Sequence, residues 1–358
     1  MATLERPGLL QLPVYHAEDR SIGILLDANE RATNLPETVK KAALEQIGKV
    51  AFNRYPDMGM TTLTTLLAEG LDVSPEEIVI GCGSSGLLEA ACQAFGGPGR
   101  KIAYPAPSFS MYEVYARLAG SEPLPLALNA DFKMDVPAVC RTITAEQPSL
   151  VILCNPNNPT GTVMTPEALQ PLLETAACPV VVDEAYIEFS QAASVLPLRK
   201  QFPNLIIMRT FSKAYGLAAA RVGYLTARTE LTALLQRVLM PYRINSMSLA
   251  AAETVYTMRA AFAEDIQWMI GERQRLAQSL AALKLKVFPS GTNFLFVQLT
   301  NPQGATALAT YLHDHGIVVR DFSKAPLLGG LRITVGTHDE NETLVKTVRQ
   351  FMADRGNA

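Results

Sequence analysis

The chain has 358 residues, 48% of them hydrophobic and 18% charged, with a formal net charge of −3. A single core stops growing near roughly 250–300 residues, so two packed units are expected rather than one. With so little net charge there is no basic field for nucleic acid or anionic lipid, and an anionic ligand must be met by a local cluster of donors.

The opening residues lack the basic start and apolar stretch of a secretory leader, and no apolar run reaches the ~18–20 residues of a membrane span. The five cysteines (Cys82, Cys92, Cys140, Cys154, Cys178) are scattered without a CxxC pair. That usage reads as reduced core residues of a cytoplasmic protein. Histidines stand at 16, 313, 315 and 338; His313 and His315 are two apart, with no carboxylate or thiol framework around them, so no metal site is expected.

Short β-rich apolar runs alternate with longer helical patterns, predicting a mostly parallel sheet covered by helices, an α/β fold. Ligands of open α/β sheets sit beyond the carboxyl ends of the strands, so each strand is read for what it delivers there. The first, Ile78–Gly81, delivers Gly81-Cys-Gly-Ser-Ser-Gly86 and then a helix over Gly86–Phe95. Ser84 and Ser85 there offer hydroxyls beside free helix N–H groups, a fit for phosphate. The same residues spell G-x-G-x-x-G, but a dinucleotide site needs an acid about 20 positions on. The next strand, Lys101–Tyr104, ends in Tyr104-Pro-Ala-Pro-Ser-Phe109 with no acid, and a helix over Phe109–Ala119 follows.

The third strand, Leu150–Cys154, ends in Asn155-Pro-Asn-Asn-Pro-Thr-Gly161, ahead of a helix over Pro166–Ala176. Taken alone, that segment reads equally well as a turn. The fourth, Val180–Asp183, closes on Asp183-Glu-Ala-Tyr186. An aspartate there is costly unless a cation or donors answer it, although a helix N-cap would also explain it. The fifth, Leu205–Arg209, leads into Thr210-Phe-Ser-Lys213, with Arg221 eight residues further. The third, fourth and fifth runs are almost uninterrupted Val, Ile and Leu, as strands buried on both faces should be. A sixth strand at Val222–Leu225 and a helix over Glu230–Leu239 complete this part.

From Ser246 a long helical pattern runs to about Leu283. Strands then follow at Lys286–Phe288, Asn293–Gln298, Ile317–Arg320 and Leu331–Val335, with helices between and after, as in a smaller α+β unit. The expected division is an N-terminal segment (1–40) packing with the small domain, a large ligand-binding domain (41–245) and a small C-terminal domain (246–358).

The strand ends fit one ligand. A phosphate would use Ser84, Ser85, Thr210, Ser212 and Arg221. A protonated pyridine nitrogen needs a buried carboxylate, Asp183, and a phenolic oxygen needs donors such as Asn158 and Tyr186. An aldehyde needs an amine of lowered pKa, and Lys213 close to Arg221 would have one. A flat ring gains from an aromatic face, which Phe109 is placed to supply. Pyridoxal phosphate carries all of these groups.

Along nearly its whole length the chain resembles the fold-type I pyridoxal-phosphate enzymes of the aspartate-aminotransferase superfamily, and within them the histidinol-phosphate aminotransferase family of class II aminotransferases. The resemblance rests on Leu26-Asp-Ala-Asn-Glu30, Arg54-Tyr-Pro-Asp57, the 155–161 turn, Val182-Asp-Glu-Ala-Tyr186, the segment from Thr210 to Arg221-Val-Gly223, and Leu331-Arg-Ile-Thr-Val-Gly336. It implies that Lys213 is the Schiff-base lysine and general base, that Asp183 pairs with the ring nitrogen, and that Asn158 and Tyr186 meet the ring oxygen. It implies that Phe109 stacks on the ring and that Tyr55 reaches the phosphate in the neighbouring subunit of a homodimer. Arg332 and Arg320 would hold the phosphate of histidinol phosphate or the carboxylates of glutamate and 2-oxoglutarate, with Asn29 and Tyr15 as further substrate contacts. The implied reaction converts histidinol phosphate and 2-oxoglutarate to imidazole-acetol phosphate and glutamate, in histidine biosynthesis. An aromatic-amino-acid aminotransferase and a threonine-phosphate-type decarboxylase are the alternatives.

Three segments depart from the family's pattern. Gly83-Ser-Ser-Gly86 stands for Gly-Ser-Asp-Glu, Asn29-Glu-Arg-Ala32 for Asn-Glu-Asn-Pro, and Pro241-Tyr-Arg-Ile-Asn245 for Pro-Tyr-Asn-Val-Asn. None removes a catalytic group. They bear on substrate choice, with Arg243 introducing a charge near the cleft.

Overall fold

The runs that carry apolar side chains on both faces lie at the centre of a seven-stranded sheet. In the computed structural model, which describes residues 9–12, 14, 23–299, 302–322 and 329–356, the strands in chain order are β1 (Ile24–Leu26), β2 (Ile78–Cys82), β3 (Lys101–Ala106), β4 (Glu122–Ala127), β5 (Leu150–Cys154), β6 (Val180–Asp183), β7 (Leu205–Thr210), β8 (Val222–Thr226), β9 (Lys286–Val287), β10 (Phe294–Gln298), β11 (Ile317–Phe322) and β12 (Gly330–Thr334). The helices are α1 (Glu37–Gly48), α2 (Thr61–Leu71), α3 (Gly83–Phe95), α4 (Met111–Leu118), α5 (Val136–Glu146), α6 (Pro166–Thr175), α7 (Thr229–Gln236), α8 (Ser246–Thr257), α9 (Ala263–Ala282), α10 (Pro302–Asp314) and α11 (His338–Gly356). Among the described residues no helix is long and apolar enough to cross a membrane.

The large sheet runs β2-β8-β7-β6-β5-β3-β4. All neighbours are parallel except β8, which is antiparallel to both β2 and β7. Because β5, β6 and β7 are adjacent and in register, Cys154, Asp183 and Met208 form one row. The three loops beyond that row therefore open side by side. This places Asn155–Gly161, Glu184–Tyr186 and Phe211–Lys213 at one edge, where the sequence expects the ligand.

Strand β4 was not expected, because Pro123 and Pro125 demote a run to non-strand or edge. It is an edge strand, paired only with β3. The N–H groups of Glu122 and Leu128 bond the carbonyls of Arg100 and Ala106, so the even-numbered residues face β3. The missing N–H groups of the two prolines fall on the open side, where none is needed.

The second sheet runs β1-β11-β12-β10-β9. Strand β1 pairs in parallel with β11 although the rest of the chain intervenes. Leu276, Leu280, Leu308, Leu312, Leu344 and Val348 bury against Phe294, Leu331 and Ile333 of this sheet. The predicted continuous helix from Ser246 is instead two, separated by a 3-10 turn at Arg259–Phe262. The buried Phe262 anchors that turn in the cluster shared by α1, α2 and α8, so α8 covers the first body while α9 covers the second. The cysteines are all free. Cys82 is exposed and Cys140 half-buried, which corrects the reading of every cysteine as a core residue: both sit on segments that turn outward at the strand or helix surface.

Candidate active site

The loop after β7 carries Lys213, and burial is the dominant influence on its amine. Desolvation, reinforced by the positive charges of Arg332 and Arg221 and opposed by Glu30, pulls its pKa from 10.5 down to about 7. Nζ donates to the carbonyl of Ala28 at 3.0 Å and lies 5.9 Å from the centre of the Tyr186 ring. An amine in that state is half-neutral near neutral pH and able to attack a carbonyl.

Asp183 ends β6 and is 4% exposed. Its Oδ2 accepts from the hydroxyl of Tyr112 at 2.9 Å and its Oδ1 from the N–H of Ala185 at 3.1 Å. No cation pairs with it among the described residues, and burial pushes its pKa up from 3.8 to about 6. The Ala185 bond is local to its own turn, but no helix begins there beyond a short 3-10 turn at Ile187–Phe189. The N-cap alternative therefore does not account for the residue. A buried carboxylate met only by neutral donors is suited to a cationic ring nitrogen, which is the deficit that pyridoxal phosphate would fill.

The donors for a ring oxygen sit beside it. Asn158 Oδ1 accepts from Arg332 Nη1 at 2.7 Å, which leaves Nδ2 as the free donor of that amide. The Tyr186 hydroxyl accepts from Asn29 Nδ2 at 3.0 Å, and burial raises its pKa further above 10, so it stays a phenol that can donate. Phe109 is half-buried and meets Tyr112 edge-on at 5.6 Å.

The anion cup forms where α3 meets the strand pair β7–β8. Gly83 opens the helix with φ of +68°, a left-handed conformation that favours glycine. A Cβ at Gly83 would lie 2.7 Å from Arg221 Nη2, and one at Gly223 would lie 2.6 Å from the backbone of Gly83 and Ser84. The helix therefore starts three residues earlier than the sequence predicts, pressed against β8. Ser84 and Ser85 occupy its first turn with unspent N–H groups. Thr210 Oγ1 accepts from the N–H of Ser212 at 3.1 Å, and Arg221 Nη1 donates to Ser212 Oγ at 3.3 Å. This set of hydroxyls, helix N–H groups and one guanidinium fits a phosphate.

The second sheet closes the site. Arg320 on β11 and Arg332 on β12 are direct cross-strand partners, so both guanidinium stems leave one face of the sheet. Arg332 Nη2 also donates to the carbonyl of Asp27, and its guanidinium lies 5.5 Å from the Phe294 ring. Asn29, buried with φ of +53°, holds the first segment to this sheet. Its N–H donates to Thr334 Oγ1 at 3.0 Å, and its carbonyl accepts from Asn293 Nδ2 at 3.1 Å. Asn29 thus acts on Tyr186 through its side-chain amide.

One expected residue, Tyr55, lies apart from this cluster. Tyr55 is 81% exposed with its ring stacked on Tyr242 at 4.6 Å, on a loop fixed by Asp57, whose carboxylate accepts from the N–H groups of Gly59 and Thr61. Tyr15 lies outside the described residues. Arg243 turns to the backbone, donating to the carbonyl of Ile80 at 2.5 Å. The sequence reading missed Tyr112, which is fully buried and bonded to Asp183. Its three-residue spacing from Phe109 on a helix start was the available signal.

The sequence profile of the family "Aminotransferase class I and II" matches residues 21–348. A histidinol-phosphate aminotransferase of Thermoanaerobacter pseudethanolicus is 39% identical over 329 residues, covering 91% of this chain and 92% of its own. An aromatic amino acid aminotransferase of Corynebacterium efficiens is 35% identical, covering 95% and 97%. The crystal structure of histidinol-phosphate aminotransferase from Sinorhizobium meliloti in complex with pyridoxal-5'-phosphate superposes with a TM-score of 0.91 at 26% identity, over 99% of each chain. With that fold, and with the sequence match spanning both sheets, the chain belongs to the class I and II aminotransferase family.

Proposed function

We propose that the protein is a pyridoxal-phosphate-dependent aminotransferase that moves the amino group of histidinol phosphate to 2-oxoglutarate, giving imidazole-acetol phosphate and glutamate. The observation that carries the reading is the pairing of a buried amine with pKa near 7, Lys213, with a buried carboxylate, Asp183, that no cation among the described residues answers. When bound, pyridoxal phosphate supplies a ring that draws electrons from a substrate's α-carbon. Asp183 would hold the ring nitrogen protonated, and Tyr186 and Asn158 would orient the ring through its oxygen. Phe109 would cover the ring's face, and Ser84, Ser85, Thr210, Ser212 and Arg221 would anchor its phosphate. Lys213, its amine partly neutral near pH 7, would be the base that takes the proton from the substrate's α-carbon.

The substrate assignment is supported by the identity to histidinol-phosphate aminotransferases and by Arg320 facing Arg332 across β11 and β12, a pair suited to a dianionic group. The relative from Corynebacterium efficiens favours an aromatic amino acid as the second reading. A homodimer in which Tyr55 completes the partner's phosphate site is supported by the exposed Phe52, Tyr55, Met58, Met240 and Tyr242. Residence in the cytoplasm is supported by five free thiols. We retain the division at 1–40, 41–245 and 246–358, with β1 joining the second sheet in its favour. The packing of α8 on α1 argues for moving the last boundary past Thr257.

The test is a half-reaction panel. Histidinol phosphate, phenylalanine, tyrosine, glutamate and threonine phosphate are each added to the purified holoenzyme while its visible absorbance is followed. Fast loss of the band with histidinol phosphate and glutamate, and slow loss with the others, is expected. A response led by phenylalanine would transfer the assignment to the second reading.

A further inference from the structure

A cavity of about 1050 Å³ opens between the loops around the large sheet's carboxyl edge and the segment α9–β9, and its lining includes neither Lys213 nor Asp183 nor Arg332. Phe132, Val163 and Phe288 give it apolar walls, and Arg273 projects from α9 into it. Arg273 is 5% exposed. Its Nη1 donates to the carbonyls of Phe189, at 3.1 Å, and Thr292. Among the described residues no carboxylate pairs with it, and Nε and Nη2 have no hydrogen-bond partner, although neither is sealed from solvent. The neighbouring acid, Glu272, is taken up by Arg275 and Asn341. Burial alone pulls the Arg273 pKa down to about 10.

A guanidinium buried this far is costly when only neutral carbonyls answer it. The lining adds Lys133 and Lys286 against a single acid, Asp131, which pairs with Lys286 at 3.7 Å. Three cations facing one carboxylate leave an anion-seeking chamber with an apolar body. Aliphatic and aromatic walls with one convergent charge are the usual makeup of a small-molecule site.

We propose that this cavity is a second ligand site, which takes a small organic carboxylate with an apolar body, its carboxylate on Nε and Nη2 of Arg273 and its body against Phe132, Val163 and Phe288. The site rests on Arg273 and its chamber and is independent of which amino donor the enzyme uses. Its occupant would be felt in the active cleft. Phe189 lies three residues beyond Tyr186, and Thr292 precedes Asn293, whose amide holds Asn29 against that tyrosine.

The test uses holoenzyme and isothermal calorimetry with 3-phenylpropionate, its uncharged amide 3-phenylpropionamide, and acetate. Binding of 3-phenylpropionate is expected at millimolar concentration or better, with the amide and acetate each weaker by roughly ten- to hundredfold. Arg273→Gln should weaken it by a similar factor. Ala277→Trp, one helical turn beyond Arg273 in the same wall, fills the chamber without touching the carbonyl bonds of Arg273 and should also abolish binding. Both variants should keep the visible band and its response to the amino donor. Arg332→Gln should leave 3-phenylpropionate binding intact. The proposal is overturned if the amide binds as tightly as the acid, if Ala277→Trp binds normally, if only Arg332→Gln removes binding, or if nothing binds at 10 mM, a concentration well above the ~1 mM that corresponds to about 4 kcal/mol of binding.

Discussion

Asp183→Asn should stabilise the cofactor-free chain and weaken the loaded one, a reversal that follows from the local electrostatics. The Asp183 pKa is raised from 3.8 to about 6, first by burial, with the Tyr112 hydroxyl and the Ala185 N–H pulling the other way. A group whose folded pKa is raised holds its proton more tightly when folded, so stability falls as pH rises between the two values. Below about pH 4 both states are protonated and the carboxyl costs nothing. Above about pH 6 the full difference applies, about 2 pKa units or about 3 kcal/mol. Asparagine keeps the shape, accepts from the Ala185 N–H through Oδ1, donates to the Tyr112 hydroxyl through Nδ2, and carries no charge. In urea denaturation of the cofactor-free chain the variant should gain about 3 kcal/mol at pH 8 and about half that at pH 5. Adding pyridoxal phosphate should raise the wild-type midpoint much more than the variant's, because the cationic ring nitrogen answers only a carboxylate. A variant no more stable than wild type at pH 8 without cofactor, or a gain independent of pH, would refute the reasoning.

Three further outcomes are expected. Tyr112→Phe leaves Asp183 with one donor, and losing a hydrogen bond to a charged group is worth about 1.5–3 kcal/mol; cofactor affinity and kcat should fall with intact circular dichroism. Cofactor capture by the apo chain, followed by growth of the visible band, should quicken with pH up to about 7 and then level, since the Lys213 pKa is lowered to about 7; a rate still climbing tenfold between pH 8 and 9 would contradict it. Gly223→Ala puts a Cβ 2.6 Å from the backbone of Gly83 and Ser84 and should shift the start of α3, weakening cofactor retention about tenfold or more in equilibrium dialysis.

The central strands were legible because Leu150–Cys154, Val180–Asp183 and Leu205–Thr210 are buried on both faces, and continuous apolar runs announce that condition. The positions of Lys213, Asp183 and Asn158 were legible for a related reason: each stands at or just past the end of such a run, where its polarity is anomalous, whereas Arg221 was picked out by its spacing of eight residues after Lys213. What escaped depends on contacts across long separations. The hydroxyl of Tyr112 finds Asp183 on another strand, and Asn29 finds Tyr186 only because β1 adds to a sheet made from the far end of the chain. The break between α8 and α9 contains no proline or glycine. It is set by where Phe262 packs, and periodicity alone does not carry that.

Strand β1 has a consequence for biogenesis. Its partner β11 lies about 290 residues further along, so during synthesis at roughly 5–20 residues per second the first strand waits on the order of 15–60 s for its template. Meanwhile every strand of the larger sheet, from Ile78 to Thr226, has emerged and can pair. A three-residue ribbon offers little edge for mispairing during that interval. The nascent chain would thus own a finished cradle before it owns a closed cleft, and docking of Asn29 onto Thr334 would be among the last acts of its maturation.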